Sequence, residues 1–419
     1  MVYQYVFSGT TYIVGARMGE RGWILVGYGT DASTVINLVF AAPRPIGARV
    51  FFMKGLYNLT AQLVTGTQYA LSLIGECLSW TGPQGVVLKA TVAMSCIMSR
   101  AGGGPDDMIP SWFDMERICL DGNNLADWGV VIGGRDSAIR LSGFAGFRAG
   151  GAAIRSHCEG LWIDHNWIEN NPGRGIDEIV DLTWITNNHF YNNAQGDIRV
   201  GQYSSPTNIW ILNNRDTGGS SYFVYFDDNY SAVNIWIKNN TLRNLTTAAI
   251  YFKGLTAITH SHIRIIDNRL DGNAATADFV SVPANVTIVN GKARGNTIIN
   301  ITNLAFNEVG SWFDKKDNYG FNPYGIIATP FDNVNNRFGY PAGGAAAPAN
   351  ANTDYVCIGV DCMMSVTGGT GVSVTLKSPA SALIYTYGAP PVFIPNIPIG
   401  FIVNFGNFSA APTVVVSGN

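Results

Sequence analysis

Apolar and polar residues alternate with period two in four short strings near the middle of the chain. They are LWIDHNWI (Leu161 to Ile168), TWITNNHF (Thr183 to Phe190), IWILNNRD (Ile209 to Asp216) and IWIKNNTL (Ile235 to Leu242). Aligned, they place Trp162, Trp184, Trp210 and Trp236 in one column, between apolar columns at Leu161, Ile209, Ile235 and at Ile163, Ile185, Ile211, Ile237. Strict alternation predicts strands, with the aliphatic columns on one face and the indoles on the other. The strings recur every 22 to 26 residues, a period that belongs to stacked coils.

A second short strand is predicted in each repeat, at Ala152 to His157, Gly175 to Ile179, Asp197 to Gly201, Phe223 to Asp228, Ala249 to Gly254 and Asp278 to Pro283. With Ile154, Ile176, Ile198, Val224 and Ile250 facing inward, the outward column is Arg155, Asp177, Arg199, Tyr225 and Tyr251. The next outward positions include His157, Asp227 and Lys253. Between the two strands runs an asparagine column, Asn166, Asn188, Asn214, Asn240 and Asn268. Asparagine tolerates the left-handed backbone of a tight corner, and stacked side-chain amides can bond to one another.

The flanks differ in character. YGTDASTVINLVFAA (Tyr28 to Ala42) reads as an amphipathic helix, with Thr30 or Asp31 as N-cap, and its place ahead of the coils is similar to that of the helix that caps solenoids of this kind. Tyr340 to Thr353 reads as a Pro, Ala and Gly-rich linker. From Asp354 onward short β-rich segments broken by Gly and Pro predict a small all-β sandwich or barrel. The expected organisation is residues 1–48 as an N-terminal segment with the capping helix, 49–305 as the coil stack, 306–353 as exit segment and linker, and 354–419 as a C-terminal β-sandwich that oligomerises.

On these features the chain resembles the right-handed parallel β-helix of the pectate-lyase superfamily, which includes polysaccharide lyases, glycoside hydrolases and viral tailspikes. The resemblance covers roughly Gly22 to Thr302 and implies an all-β solenoid; one fold hosts many activities, so it does not fix function. The string WIDH (Trp162 to His165) is similar to a signature of family-one pectate lyases, but Arg174 stands where those enzymes place an acid. No R-x-P-x-x-R string supplies the arginine their mechanism uses. WIDH is therefore read as one more rung, with His165 a corner residue. A lyase would also call for Ca²⁺ held by carboxylates; no other cofactor and no metal site is expected, and His189, His260 and His262 form no triad with nearby acids.

Composition narrows the partners. Only 13% of the 419 residues are charged and the net charge is −3, which excludes nucleic acid as the main ligand. The apolar stretch Tyr387 to Phe405 carries Pro390, Pro391, Pro395 and Pro398, unlike a membrane-spanning helix. The N-terminal residues do not read as a secretory leader. Cys357 and Cys362 are close enough in sequence to bridge two neighbouring turns; Cys77, Cys96, Cys119 and Cys158 read as small buried thiols. Between Cys362 and Asn419 only Lys377 is charged, so that region is expected to bury much of its surface against copies of itself.

The tryptophan column forms a ribbon on the order of 15 Å long at the usual strand spacing. It is read first as a subunit interface, second as a surface covered by a loop or by the terminal domain, third as a sugar-stacking platform. The column from Arg155 to Tyr251, with Lys253, reads either as an oligosaccharide groove or as a solvent-facing ladder of ion pairs. Glycosidic hydrolysis uses two carboxyls about 5 Å or about 6.5 to 9.5 Å apart. The candidates are Asp177, Asp227 and Glu178, with Asp177 and Asp227 two coils and roughly 10 Å apart. An Asp227–Asp228 pair is disfavoured, since adjacent strand residues point to opposite faces. The reading that unites these features is a virion-surface, homotrimeric spike contacting host surface glycans and other virion proteins, with cleavage left open. A secreted monomeric polysaccharide lyase or hydrolase and a purely structural viral component are the alternatives.

Overall fold

The alternating strings are strands, and they stack in register. The computed structural model describes residues 28–41 and 49–301 apart from 68–69, 77, 81–83, 102–105, 203, 273–277 and 300. Outside that span it describes strand backbones and a few further residues. Parallel pairing joins Trp162 to Trp184, Trp184 to Trp210 and Trp210 to Trp236. The second strands pair likewise, Ile154 with Ile176 and Ile198 with Val224 and then Ile250. The result is a parallel β-solenoid of about nine turns.

Each coil has three strands where the sequence pattern indicated two. The additional stack includes Trp167–Glu169, His189–Tyr191, Arg215–Asp216, Thr241–Arg243 and Arg269–Asp271, part of a 12-stranded sheet. Most of these strands present one inward residue, such as Ile168, Phe190, Leu242 and Leu270. A run of two or three residues shows no period that a window could detect.

The interior is built from the aliphatic columns the alternation defines. Leu161, Ile163, Ile185, Ile209, Ile211, Ile235 and Ile237 are fully buried, as are Ile154, Ile176, Val224 and Ile250. Each such side chain contributes on the order of 1.5–3 kcal/mol. Phe226 and Phe252 stack at 4.4 Å in the same core. The helix Ala32–Ala41 adds Ala32, Val35, Ile36, Val39 and Phe40 to it. Asp31, not Thr30, is its cap: the Thr34 N–H donates to Asp31 Oδ2 at 2.8 Å.

The asparagine column divides its two expected tasks between neighbours. Asn166, Asn188, Asn214, Asn240 and Asn268 are buried and form an amide ladder: each Nδ2 donates to the next Oδ1 at 2.8–3.1 Å, continuing through Asn296 to Asn318. The left-handed residues are those just before them, His165, Asn187, Asn213, Asn239 and Asp267. A residue in that backbone turns the chain, and the following asparagine then points inward. His165 is thus a corner residue, paired with Asp164 at 2.7 Å.

Beyond the solenoid, strands between Gly344 and Gly418 form two four-stranded antiparallel sheets. Two of them, Gly344–Ala346 and Thr353–Val356, begin inside the stretch read as a linker. Cys77, Cys357 and the side chain of Cys362 lie outside the described residues. Cys96, Cys119 and Cys158 are buried free thiols. Burial pushes Cys96 up to about 12 and Cys158 up to about 11, so both behave as small apolar side chains. Among the described residues no helix is long and apolar enough to cross a membrane.

Candidate functional site

The outward column on the second face is a buried charge network. Arg155, Asp177, Glu178, Arg199, Asp227 and Asp228 are all buried, although the strands point Arg155, Asp177 and Arg199 away from the aliphatic core. This differs from the solvent-facing Arg155–Asp177–Arg199 ladder expected as one alternative. Arg199 binds Asp177 through Nε and, at 2.8 Å, through its second terminal nitrogen. Arg155 Nε instead donates to Glu178 Oε2 at 2.5 Å, and its guanidinium also reaches the exposed Asp106 at 3.2 Å and lies over the Trp128 ring.

A backbone irregularity brings Glu178 into this network. Residues 177 and 178 should face opposite ways, yet the register shifts between Ile176 and Ile179, both of which remain inward. Glu178 takes up a left-handed φ of 62°, an uncommon state for a residue with a long side chain. Asp177 and Glu178 therefore share the outward side, within reach of one guanidinium: Arg199 lies 3.7 Å from Glu178 as well. Strain of this kind concentrates at functional positions.

Asp227 and Asp228 converge in the same way, contrary to the alternation rule. The strand Tyr222–Phe226 ends just before them, which frees both side chains from its pleat. Lys253 Nζ binds Asp227 at 3.2 Å and Asp228 at 2.7 Å. Burial works against the Asp228 carboxylate, but hydrogen bonds from Lys253 and the Thr256 N–H outweigh it and hold it down at about 2. Burial likewise opposes the charge on Lys253, and the two aspartates raise it nonetheless. Arg199 approaches Asp227 at 3.9 Å, so the network runs from Arg155 to Asp228 without a break.

Solvent reaches this network at a few groups. His157 is 26% exposed, and its Nε2 lies 2.5 Å from Glu178 Oε2. Lys253 is 25% exposed. Tyr225 and Tyr251 stack at 5.6 Å, with Tyr222 4.8 Å from Tyr251. Burial, then the Asp227 charge, pushes the Tyr225 phenol up to about 12. The site thus offers a histidine oriented by a carboxylate, a further carboxylate beside an ammonium group, and aromatic rings at the mouth. Among the described residues no group of three His, Cys, Asp or Glu could hold a metal ion.

Sequence reasoning placed Arg155, Asp177, Arg199, Asp227, Tyr225, Tyr251 and Lys253 on this face, and the structure brings them together. The His157–Glu178 contact was not read from the sequence. His157 follows Arg155 by two in the same alternation and could have been paired, but the bulge that turns Glu178 outward leaves no local signal.

The tryptophan column is a ladder of a different kind. Trp162 stacks on Trp184 at 4.4 Å and Trp184 on Trp210 at 4.9 Å, with rings within 14° of parallel. Arg264 lies over the Trp236 ring at 4.1 Å and donates to Asn234 Oδ1. Both faces of Trp184 are occupied by neighbouring indoles, so it presents mainly its ring edge to its surroundings.

No family model matches the chain, and no curated protein matches it. Among solved structures it is similar to the A-module of an Azotobacter vinelandii mannuronan C-5 epimerase, with 16% identity over 73% of this chain and 94% of that one and a TM-score of 0.45. It is similar to the Dettilon tailspike protein, with 12% identity over 92% and 89% of the two chains and a TM-score of 0.42. A third likeness is to a tailspike protein of Acinetobacter baumannii bacteriophage Fri1, described as a capsular polysaccharide depolymerase, with 11% identity over 88% and 78% and a TM-score of 0.36. At this level of likeness activity does not transfer, and only the chain's own side chains speak to it.

Proposed function

We propose that this chain is a spike-type solenoid of a virus particle, a homotrimer that binds host surface glycan on the Arg155 to Tyr251 face and cleaves it. The observation that carries the reading is the buried charge network with Glu178 forced outward. Burying charges costs several kcal/mol per ion before pairing offsets it. A coil that served only as scaffold would be more stable with hydroxyl or apolar side chains there. The two tyrosines give sugar rings an apolar surface, and the cations suit neutral or acidic sugars.

Cleavage in this site is hydrolysis of a glycosidic bond. A proton passes to the leaving oxygen, the bond from that oxygen to the anomeric carbon breaks, and water attacks the carbon while a base takes its proton. Asp227 and the His157–Glu178 pair supply these two proton transfers. Asp177, with no exposed surface, positions Arg199. The trimer is supported by the C-terminal region. There Leu383, Ile384 and Tyr385 are exposed on a strand at the edge of its sheet, in a stretch where only Lys377 is charged. An uncovered apolar edge is a template for association.

The test is a glycan array carrying capsular polysaccharides and lipopolysaccharide O-chains, followed by a size assay on any glycan bound. His157→Ala and Asp227→Asn should each lower turnover by about 100-fold or more with binding kept. Binding without turnover in the wild type would remove the cleavage step, and binding to no glycan would overturn the reading. Light scattering should give three times the 45.1 kDa chain mass. A monomer would favour a solitary polysaccharide-degrading enzyme using the same face.

A further inference from the structure

The tryptophan ladder ends differently at its two ends. At the Trp236 end, register pairs the indole with Arg264, whose guanidinium covers the ring. At the other end, Trp162 pairs with Ala138, a buried methyl group too small to cover an indole. One face of Trp162 is against Trp184, yet the residue is 44% exposed, while Trp184, Trp210 and Trp236 are half-buried. Trp162 is thus the most exposed of the four, and its next partner in the column is a methyl group and not a ring. The ladder stops one ring short, and the step from an indole to a methyl group makes a notch in the column.

Polar groups frame this notch. Arg140 stands beside Asp164 in register, and Asp114 occupies the next coil above Ala138. Asp164 is held in place by Thr186 Oγ1 at 2.5 Å and Asn187 Nδ2 at 2.9 Å. A second exposed indole is nearby. Trp112 is 51% exposed and sits at a left-handed corner position, φ 59°, that stacks over Asp136 and Gly160. Two coils of stacking separate it from the Trp162 coil, about 10 Å at strand spacing.

The notch also lies on the strand that carries His157. Ala152–Asp164 runs unbroken from the charged face to the tryptophan face, turning at Gly160 with φ 78°. Trp162 follows His157 by five positions, so the two lie at most roughly 17 Å apart along the chain. That is a span a short oligosaccharide can cover.

We infer that the open face of Trp162 over Ala138 is a sugar-stacking subsite for the glycan bound at the His157 face, with Trp112 extending it and Arg140 and Asp114 bonding hydroxyls. The inference rests on the glycan reading and adds where the polymer continues. A single ring-sized face flanked by charged groups fits a pyranose, apolar on its face and polar at its edge, whereas a broad protein interface would be apolar around the indole.

The experiment uses the full-length protein and whichever array glycan it binds. Trp162→Ala, and Ala138→Leu, which covers the indole face while keeping Trp162, should each weaken binding about three- to tenfold. Trp162→Phe should recover part of the loss. Turnover of saturating substrate should change little, in contrast to His157→Ala. Unchanged affinity in Trp162→Ala and Ala138→Leu, in a protein whose His157 variant loses turnover, overturns the subsite and leaves the glycan reading standing. A smaller solution mass for both variants overturns it in favour of an interface between copies. A wild type that binds no array glycan removes both readings together.

Discussion

Two faces of the same coils solve the same geometric problem with opposite chemistry. Stacking puts like residues about 4.8 Å apart in columns. On one face the column is four tryptophans, and at that spacing the flat rings of Trp162, Trp184 and Trp210 satisfy one another through their π faces while Arg264 covers Trp236. On the other face a column of like charges would repel, and the chain alternates Arg155, Asp177 and Arg199 before changing to tyrosine. The tryptophan column is regular in register and half-exposed. The charge network needs a register shift, a left-handed Glu178 and a strand end at Phe226 to close its pairs. Regularity marks the scaffold, and departure from regularity marks the place where function is proposed.

The largest effect that sharpens this contrast is expected from Asp177→Ala. It leaves the Arg199 guanidinium buried beside a lost partner, and stability should fall by roughly 3–5 kcal/mol in denaturant titration. A loss below about 1 kcal/mol would place the network with ordinary surface pairs and erase the contrast.

A second effect comes from the third face, where Asp216 and Asp197 are buried together. Burial pushes Asp216 up to about 7; burial, then the neighbouring Asp216 charge, raises Asp197 well above its ordinary value. The folded state keeps a proton that the unfolded chain releases near pH 4. The pair therefore contributes stability at low pH that is lost as pH rises from about 4 to about 7. Asp216→Asn should flatten that dependence and stabilise the protein at pH 8 by roughly 2–4 kcal/mol. A mutant with the same pH profile as the wild type would refute the shared proton.

The asparagine ladder should respond less. Asn214→Ala removes bonds to Ile185 O and Asn240 Oδ1 and the acceptor used by Asn188, for a loss of about 1–3 kcal/mol. The smallest effect is expected within the ring ladder itself: Trp184→Leu keeps an apolar side chain and should cost about 1 kcal/mol. If Trp184→Leu costs more than Asp177→Ala, the ranking of the two faces is reversed.

Much of the architecture was legible because alternation and period act locally. The Ile and Trp columns, the second strands and the capping helix all follow from which residues must leave water. The third strand stack was not legible, since Phe190 or Leu242 alone in a three-residue run carries no pattern. The site was legible as a set of residues and not as a set of contacts. Arg155, Arg199, Asp227 and Lys253 could be placed on one face by counting twos. Which carboxylate each cation takes depended on the bulge at Glu178 and on neighbouring coils more than 20 residues away.

The sequence by itself determined the solenoid, because hydrophobic periodicity repeated over many coils admits one stacking register. Tertiary structure alone decided that the charges are buried, that His157 meets Glu178, and that Trp162 is the most exposed of its column. Burial and pairing are properties of the space between coils. The alternation that builds each coil sets only the direction in which a side chain leaves it.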